Sequence, residues 1–158
     1  MKKILAALLC AALLFALAAC SGGSGNGDTT DTGSDTKGGD NKKNIKIGVI
    51  LIGDENEGYT YAHIEGIKEA MKENNISEDQ VVWKYNIPEN EQCKETAEDL
   101  AEQGCTAIFS NSYNHQTYMQ QVAGEPGYED ITFVSATGDT AANSGLKNFK
   151  NCFTKVYE

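Results

Sequence analysis

From Ile45 to Ile52 the chain reads IKIGVILI, an apolar and largely β-branched run broken only by Lys46 and Gly48. Such a run, with no polar alternation, predicts a strand covered on both faces. The polar turn Gly53 to Gly58 follows. From Tyr59 to Asn74, Ile64, Ile67, Ala70 and Met71 recur at helical spacing, with Glu65, Lys68, Glu69 and Lys72 opposite. Val81 to Ile87 (VVWKYNI) predicts a second strand, and Glu91 to Gln103 a helix with Cys93, Ala97, Leu100 and Ala101 on its apolar stripe. Gly104 then stands where a helix end favours a left-handed residue. Thr106 to Ser110, a short helix from Asn114 or His115 to Ala123, Ile131 to Ser135, and Phe149 to Thr154 complete the series.

Strand and helix alternate with connections long enough for right-handed crossovers. The expected fold is therefore α/β, a doubly wound parallel sheet of five strands in the order 2-1-3-4-5. A structure with the first strand at a sheet edge would contradict it.

A second apolar run, Ile4 to Leu17, lies behind Lys2 and Lys3 and is too short to span a bilayer comfortably. It ends in Leu17-Ala18-Ala19-Cys20, which resembles the bacterial lipobox. That resemblance implies removal of residues 1–19 as a signal peptide and attachment of lipid (palmitate among the acyl chains) to Cys20. The protein would then sit at the cell membrane, anchored on its extracytoplasmic face. Ser21 to Asn44 contains only Gly, Ser, Thr, Asp, Asn and Lys, and predicts a disordered leash with a reach of ~27 Å. Residues 45–158 remain for one domain. Because Glu158 follows directly on a newly begun segment (KVYE), the chain is expected to stop short of a further lobe.

All thirteen basic residues are lysines. Without Lys2 and Lys3, eleven lysines face twenty-three acids, a net charge near −12. That balance argues against nucleic acid and against a polybasic membrane patch. Cys93, Cys105 and Cys152 show no metal spacing and read as small apolar residues, with one disulfide as the alternative. Asp54, Asn56 and Glu65 fit positions of a calcium loop, but Gly58 and Tyr59 fall where Asp or Asn and then Gly are required. No nucleophile elbow, phosphate loop or dinucleotide motif is present, and neither His63 nor His115 has a nucleophile partner in sequence. No enzyme, metal or cofactor is expected. His63, one turn after Tyr59, reads as a brace for the preceding loop or as a structural histidine.

In an open parallel sheet, ligands bind outside the carboxyl ends of the strands. Those ends here carry Asp54, Asn56, Tyr59, Thr60 and Tyr61, then Glu89 and Asn90, then Asn111, Ser112, Tyr113 and Asn114, then Thr137 and Asp139. Neutral hydrogen-bonding groups and rings suit a polar, uncharged, ring-containing ligand, with stacking worth ~1–3 kcal/mol per base.

Three stretches, KIGVILIGDENEGYTYAHIEGIKEAM, CKETAEDLAEQGCTAIFSNS and ITFVSATG, resemble in order and spacing the basic membrane protein family of ABC-importer substrate-binding lipoproteins. KNFKNCFTKVYE resembles the segment before that family's crossover helix. The resemblance implies the N-terminal lobe of a type I periplasmic-binding-protein fold that binds a purine nucleoside or nucleobase between two lobes and partners ABC permease subunits. It implies that Tyr59, where the family usually has Trp or Phe, stacks on the base beside Thr60, with Asp54 in the same loop. Asn111, Ser112 and Thr137 would face the cleft. A surface sensor or adhesion lipoprotein, or a sugar-binding relative, is the alternative.

Overall fold

The structure, a computed structural model, describes residues 45–153. The segments read as signal peptide and leash, with Cys20 between them, lie outside the described residues. Five strands, β1 (Ile47–Ile50), β2 (Val81–Lys84), β3 (Ala107–Ser110), β4 (Thr132–Ala136) and β5 (Phe149–Cys152), form one parallel sheet in the order β2-β1-β3-β4-β5. The expected topology is the observed one, with the apolar run of β1 in the interior. Helices α1 (Gly58–Asn74), α2 (Glu91–Glu102), α3 (His115–Ala123) and α4 (Ala141–Ser144) fill the crossovers, and a 3-10 turn at Glu78–Gln80 leads into β2.

Alternation along the strands sorts the core into two unequal halves. Ile50, Ile108, Phe133 and Phe149 face α2 and α3, where Cys93, Ala97, Leu100, Met119 and Val122 bury against them. Val49, Leu51 and Val81 face the other side and meet Ile64 and Met71 of α1. Gly48 is required where α2 crosses β1, because a Cβ there would lie 2.8 Å from Leu100 Cδ1.

The strands are shorter than the apolar runs that predict them. β2 stops at Lys84 because Asn86 turns left-handed at φ 56° and donates its N–H back to Gly53. Gly104 adopts φ 85° after α2, the left-handed stop its position calls for. Ala70, assigned to the buried stripe of α1, is exposed, since α1 reaches the sheet mainly through Ile64 and Met71. Cys93 and Cys105 are buried free thiols as their apolar reading requires, whereas Cys152, at the end of β5, is exposed.

Candidate functional site

The loops at the carboxyl ends of β1, β2, β3 and β4 converge on one edge of the sheet. At β1, Asp54 Oδ1 accepts from the Asn56 N–H at 2.9 Å, and its other oxygen accepts from Asn86 Nδ2 at 3.2 Å. The Asn56 backbone bond foremost, then Asn86, holds the Asp54 carboxyl below its ordinary value. Three residues after Asp54, Glu57 caps α1, accepting from the backbone N–H of Tyr59 and of Thr60, each at 2.7 Å. Those two bonds, Thr60 first, depress its pKa in turn.

Tyr59 begins α1 with its ring 44% exposed. Its hydroxyl donates to the backbone carbonyl of Asn111, and its ring meets His63 edge-on at a centroid distance of 4.7 Å. His63 leans in turn toward Phe109, 6.2 Å away. Burial lowers the pKa of His63, opposed by Glu57. His63 therefore meets both Tyr59 and Phe109 through ring contacts. Tyr59 and His63 form the mouth of a shallow apolar groove of about 400 Å³ beside Gly66 and Ile67.

Thr60 and Asn111 sit beneath this surface, both fully buried. Asn111 Oδ1 accepts the Ile52 N–H at 2.9 Å and its amide reaches Thr60 Oγ1 at 3.5 Å. Their place is under the loop, tying β1 to β3, while Tyr59 stands above them. Ser112, nearly buried, donates its hydroxyl to Glu89, which also accepts from the Asn114 N–H at 3.2 Å and the Asn114 side-chain amide at 3.0 Å. The Ser112 bond above all holds Glu89 ionised. Buried His115 lies directly below, its Nε2 bonded to the Ile87 carbonyl at 3.0 Å and its pKa lowered by burial.

Thr137 is held from the far side. It adopts φ 59°, a left-handed conformation that a β-branched residue seldom takes. Its N–H donates to the Cys152 carbonyl at 2.9 Å and its hydroxyl to the Ala136 carbonyl at 2.6 Å. Strain of this kind persists where the surroundings enforce it, and it concentrates at functional sites.

Tyr113 and Asp139, named among the strand-end residues, complete the edge. The exposed Tyr113 hydroxyl approaches both oxygens of Asp139 at 3.2 and 3.1 Å. Asp139 is steadied by buried Gln116, whose carbonyl oxygen accepts the N–H of Asp139 at 2.8 Å and of Thr140 at 3.0 Å. Asp139 also borders a hollow of about 470 Å³ between α4 and β5. This larger hollow touches the loop edge only there, so the carboxyl edge is an open platform between two hollows. Among the described residues, no group of three His, Cys, Asp or Glu side chains could hold a metal ion.

No family model matches the chain, and no curated protein matches it. Solved structures do. An ABC transporter system solute-binding protein from Conexibacter woesei aligns with a TM-score of 0.58 at 18% identity, over 69% of this chain and 35% of that one. A transcriptional activator of the comK gene from Bacillus halodurans aligns with a TM-score of 0.52, also at 18% identity, over 67% of this chain and 33% of that one. The described domain shares its α/β fold, a parallel five-stranded sheet flanked by helices, with these structures. The chain spans about a third of the length of both neighbours.

Proposed function

We propose that this chain captures a small solute for an ABC importer, and that the solute is a purine nucleoside or related nucleobase. The observation that carries the reading is the carboxyl edge of the sheet presenting a tethered, half-exposed aromatic ring, Tyr59, with a second, Tyr113, among hydroxyls and amides. A ring face offers stacking to a base, and the surrounding polar atoms fix its orientation. The protein is not an enzyme in this reading. Its lipid on Cys20 holds it at the outer face of the membrane beside permease subunits.

The likeness to a transcriptional activator favours one further reading, in which the same lobe serves a regulator that senses its ligand. A sugar is the competing ligand for either reading.

In a two-lobed binder each lobe supplies part of the ligand surface and closure encloses it. One lobe offers a single wall, so the expected Kd for this chain is near millimolar, about −4 kcal/mol. Titration with inosine, guanosine, adenosine and ribose, followed by NMR shifts, tests the reading. Shifts confined to the Tyr59 and Ser112 loops with the purine nucleosides, and absent with ribose, support it. Equal response to ribose replaces the nucleoside with a sugar, and no response to any of the four overturns the reading.

A further inference from the structure

The helix starts at the carboxyl edge engage most of their first-turn N–H groups within the chain. In open α/β sheets these N–H groups, with the positive end of the helix dipole, make ready anion sites. Here most are occupied by the chain itself. At α1, Glu57 takes the N–H groups of Tyr59 and Thr60 through its side chain and that of Tyr61 through its carbonyl. At α3, Glu89 takes the Asn114 N–H, while the Ser112 and Tyr113 carbonyls take those of His115 and Gln116. At α2, Asn90 takes Gln92 and Cys93. Before α4, Gln116 takes Asp139 and Thr140, and Asn151 takes Ala141 at 2.7 Å.

Two of the plugs are carboxylates, and hydrogen bonds depress the pKa of both. No lysine falls within residues 51–61, 85–90, 111–114 or 137–140. Lys84 and Lys94, the lysines that flank residues 85–90 in the chain, are paired with Asp99 at 2.8 Å and Glu125 at 2.9 Å.

The hydroxyls point the same way. Tyr59 donates to the Asn111 carbonyl, Ser112 to Glu89, Tyr113 to Asp139, and Thr137 to the Ala136 carbonyl. A hydroxyl has one proton and two lone pairs. With all four protons engaged inward, these groups offer acceptors outward.

We propose that Glu57 and Glu89 are specificity-determining residues that close the helix starts to phosphate, so that the site takes neutral, donor-rich solutes and rejects their phosphorylated forms. The proposal rests on the solute-capture reading of this edge and adds the chemical class it excludes. A phosphate entering here meets ionised carboxylates on N–H groups already bonded, outward-facing lone pairs, and no lysine from the four loops. A ligand rich in O–H and N–H groups meets matching acceptors.

The test uses the full chain with two probe pairs. The first is inorganic phosphate against chloride at equal ionic strength, read as the thermal midpoint. The second is inosine against inosine 5′-monophosphate, read by titration. The parent is expected to show no phosphate-specific stabilisation and to bind the monophosphate at least tenfold more weakly than inosine. Glu57→Ser and Glu89→Ser keep a capping or accepting oxygen while removing the charge, and should become phosphate-responsive and narrow that gap at least fivefold. Glu57→Gln and Glu89→Gln, nearly isosteric, serve where a serine variant fails to fold. Phosphate stabilising the parent, or neutral variants discriminating as the parent does, overturns the proposal. Silence toward inosine in every form overturns solute capture instead, and the phosphate arm still decides the role of the two glutamates.

Discussion

The Tyr59 hydroxyl donates to the backbone carbonyl of Asn111, fixing the ring that opens α1 to the end of β3. One hydrogen bond therefore sets the height and tilt of the exposed aromatic on the platform. Tyr59→Ala should weaken purine-nucleoside binding by ~1–3 kcal/mol, the worth of one base stack, with the melting temperature nearly unchanged. Tyr59→Phe should keep the stack and lose only the tether, about 0.5–1.5 kcal/mol of stability. A core-sized loss of stability in Tyr59→Ala with unaltered affinity would make the ring structural.

Asn111 and Tyr59 touch the same junction but answer differently to mutation. Asn111→Ala strands the part-buried Ile52 N–H, which should cost about 1–3 kcal/mol. Urea unfolding of Asn111→Ala and Asn111→Asp measures this, and the Asp variant, which retains an acceptor, should recover part of the loss. Affinity changes should follow the fraction of folded protein. A drop in affinity at unchanged stability would place Asn111 in contact with the ligand.

The close approach of α2 to β1 is set by a missing side chain. Gly48→Ala drives a methyl into Leu100, which is fully buried, and should destabilise the fold by about 1–3 kcal/mol, the usual cost of overpacking. Leu100→Val in the Gly48→Ala background should recover part of that, so the double-mutant coupling energy should favour the pair. Strictly additive urea midpoints would show that the two residues do not meet.

Acid should weaken the fold in two stages. Burial depresses His63 and His115, so the unfolded chain takes up protons near pH 6.5 that the folded chain refuses. Stability is full above that pH and declines as the pH falls below it. The depressed carboxyls of Glu57, Glu89 and Asp54 contribute stability present above their ordinary values and lost as the pH drops through their lowered ones. Urea midpoints from pH 7.5 to 3 should show both declines. His115→Gln should shrink the first and leave the second; an unchanged first stage would absolve His115.

The architecture was legible because its signals are local. The unbroken apolar run of β1 marks an interior strand, and Cys93, Ala97, Leu100 and Ala101 repeat at helical spacing and are all buried. The site was legible by address more than by role. Loop composition brought Thr60 and Asn111 to the right edge, yet both lie inside, because an amide and a hydroxyl there satisfy the backbone of a neighbouring loop. The partnerships of Glu89 with Ser112 and of Tyr113 with Asp139 span more than twenty residues, and no periodicity encodes them. Glu57 is different: a carboxylate immediately before a helix start is a local capping signal, and it could have been read.

The inequality of the two cores sets the order in which the domain comes apart. Of the 17 residues of α1 only Thr60, Ile64 and Met71 are buried, and its backbone keeps its distance from the sheet. Helices α2 and α3 clasp the opposite face and each other. Amide protons of α1 should therefore exchange through a low-energy local opening, and those of β1, β3 and α2 only when the whole domain unfolds. Glu57 and Tyr59 stand at the first turn of that loosely held helix. The platform for the ligand then dissolves before the sheet beneath it does, and a bound solute makes itself known as slowed exchange along α1.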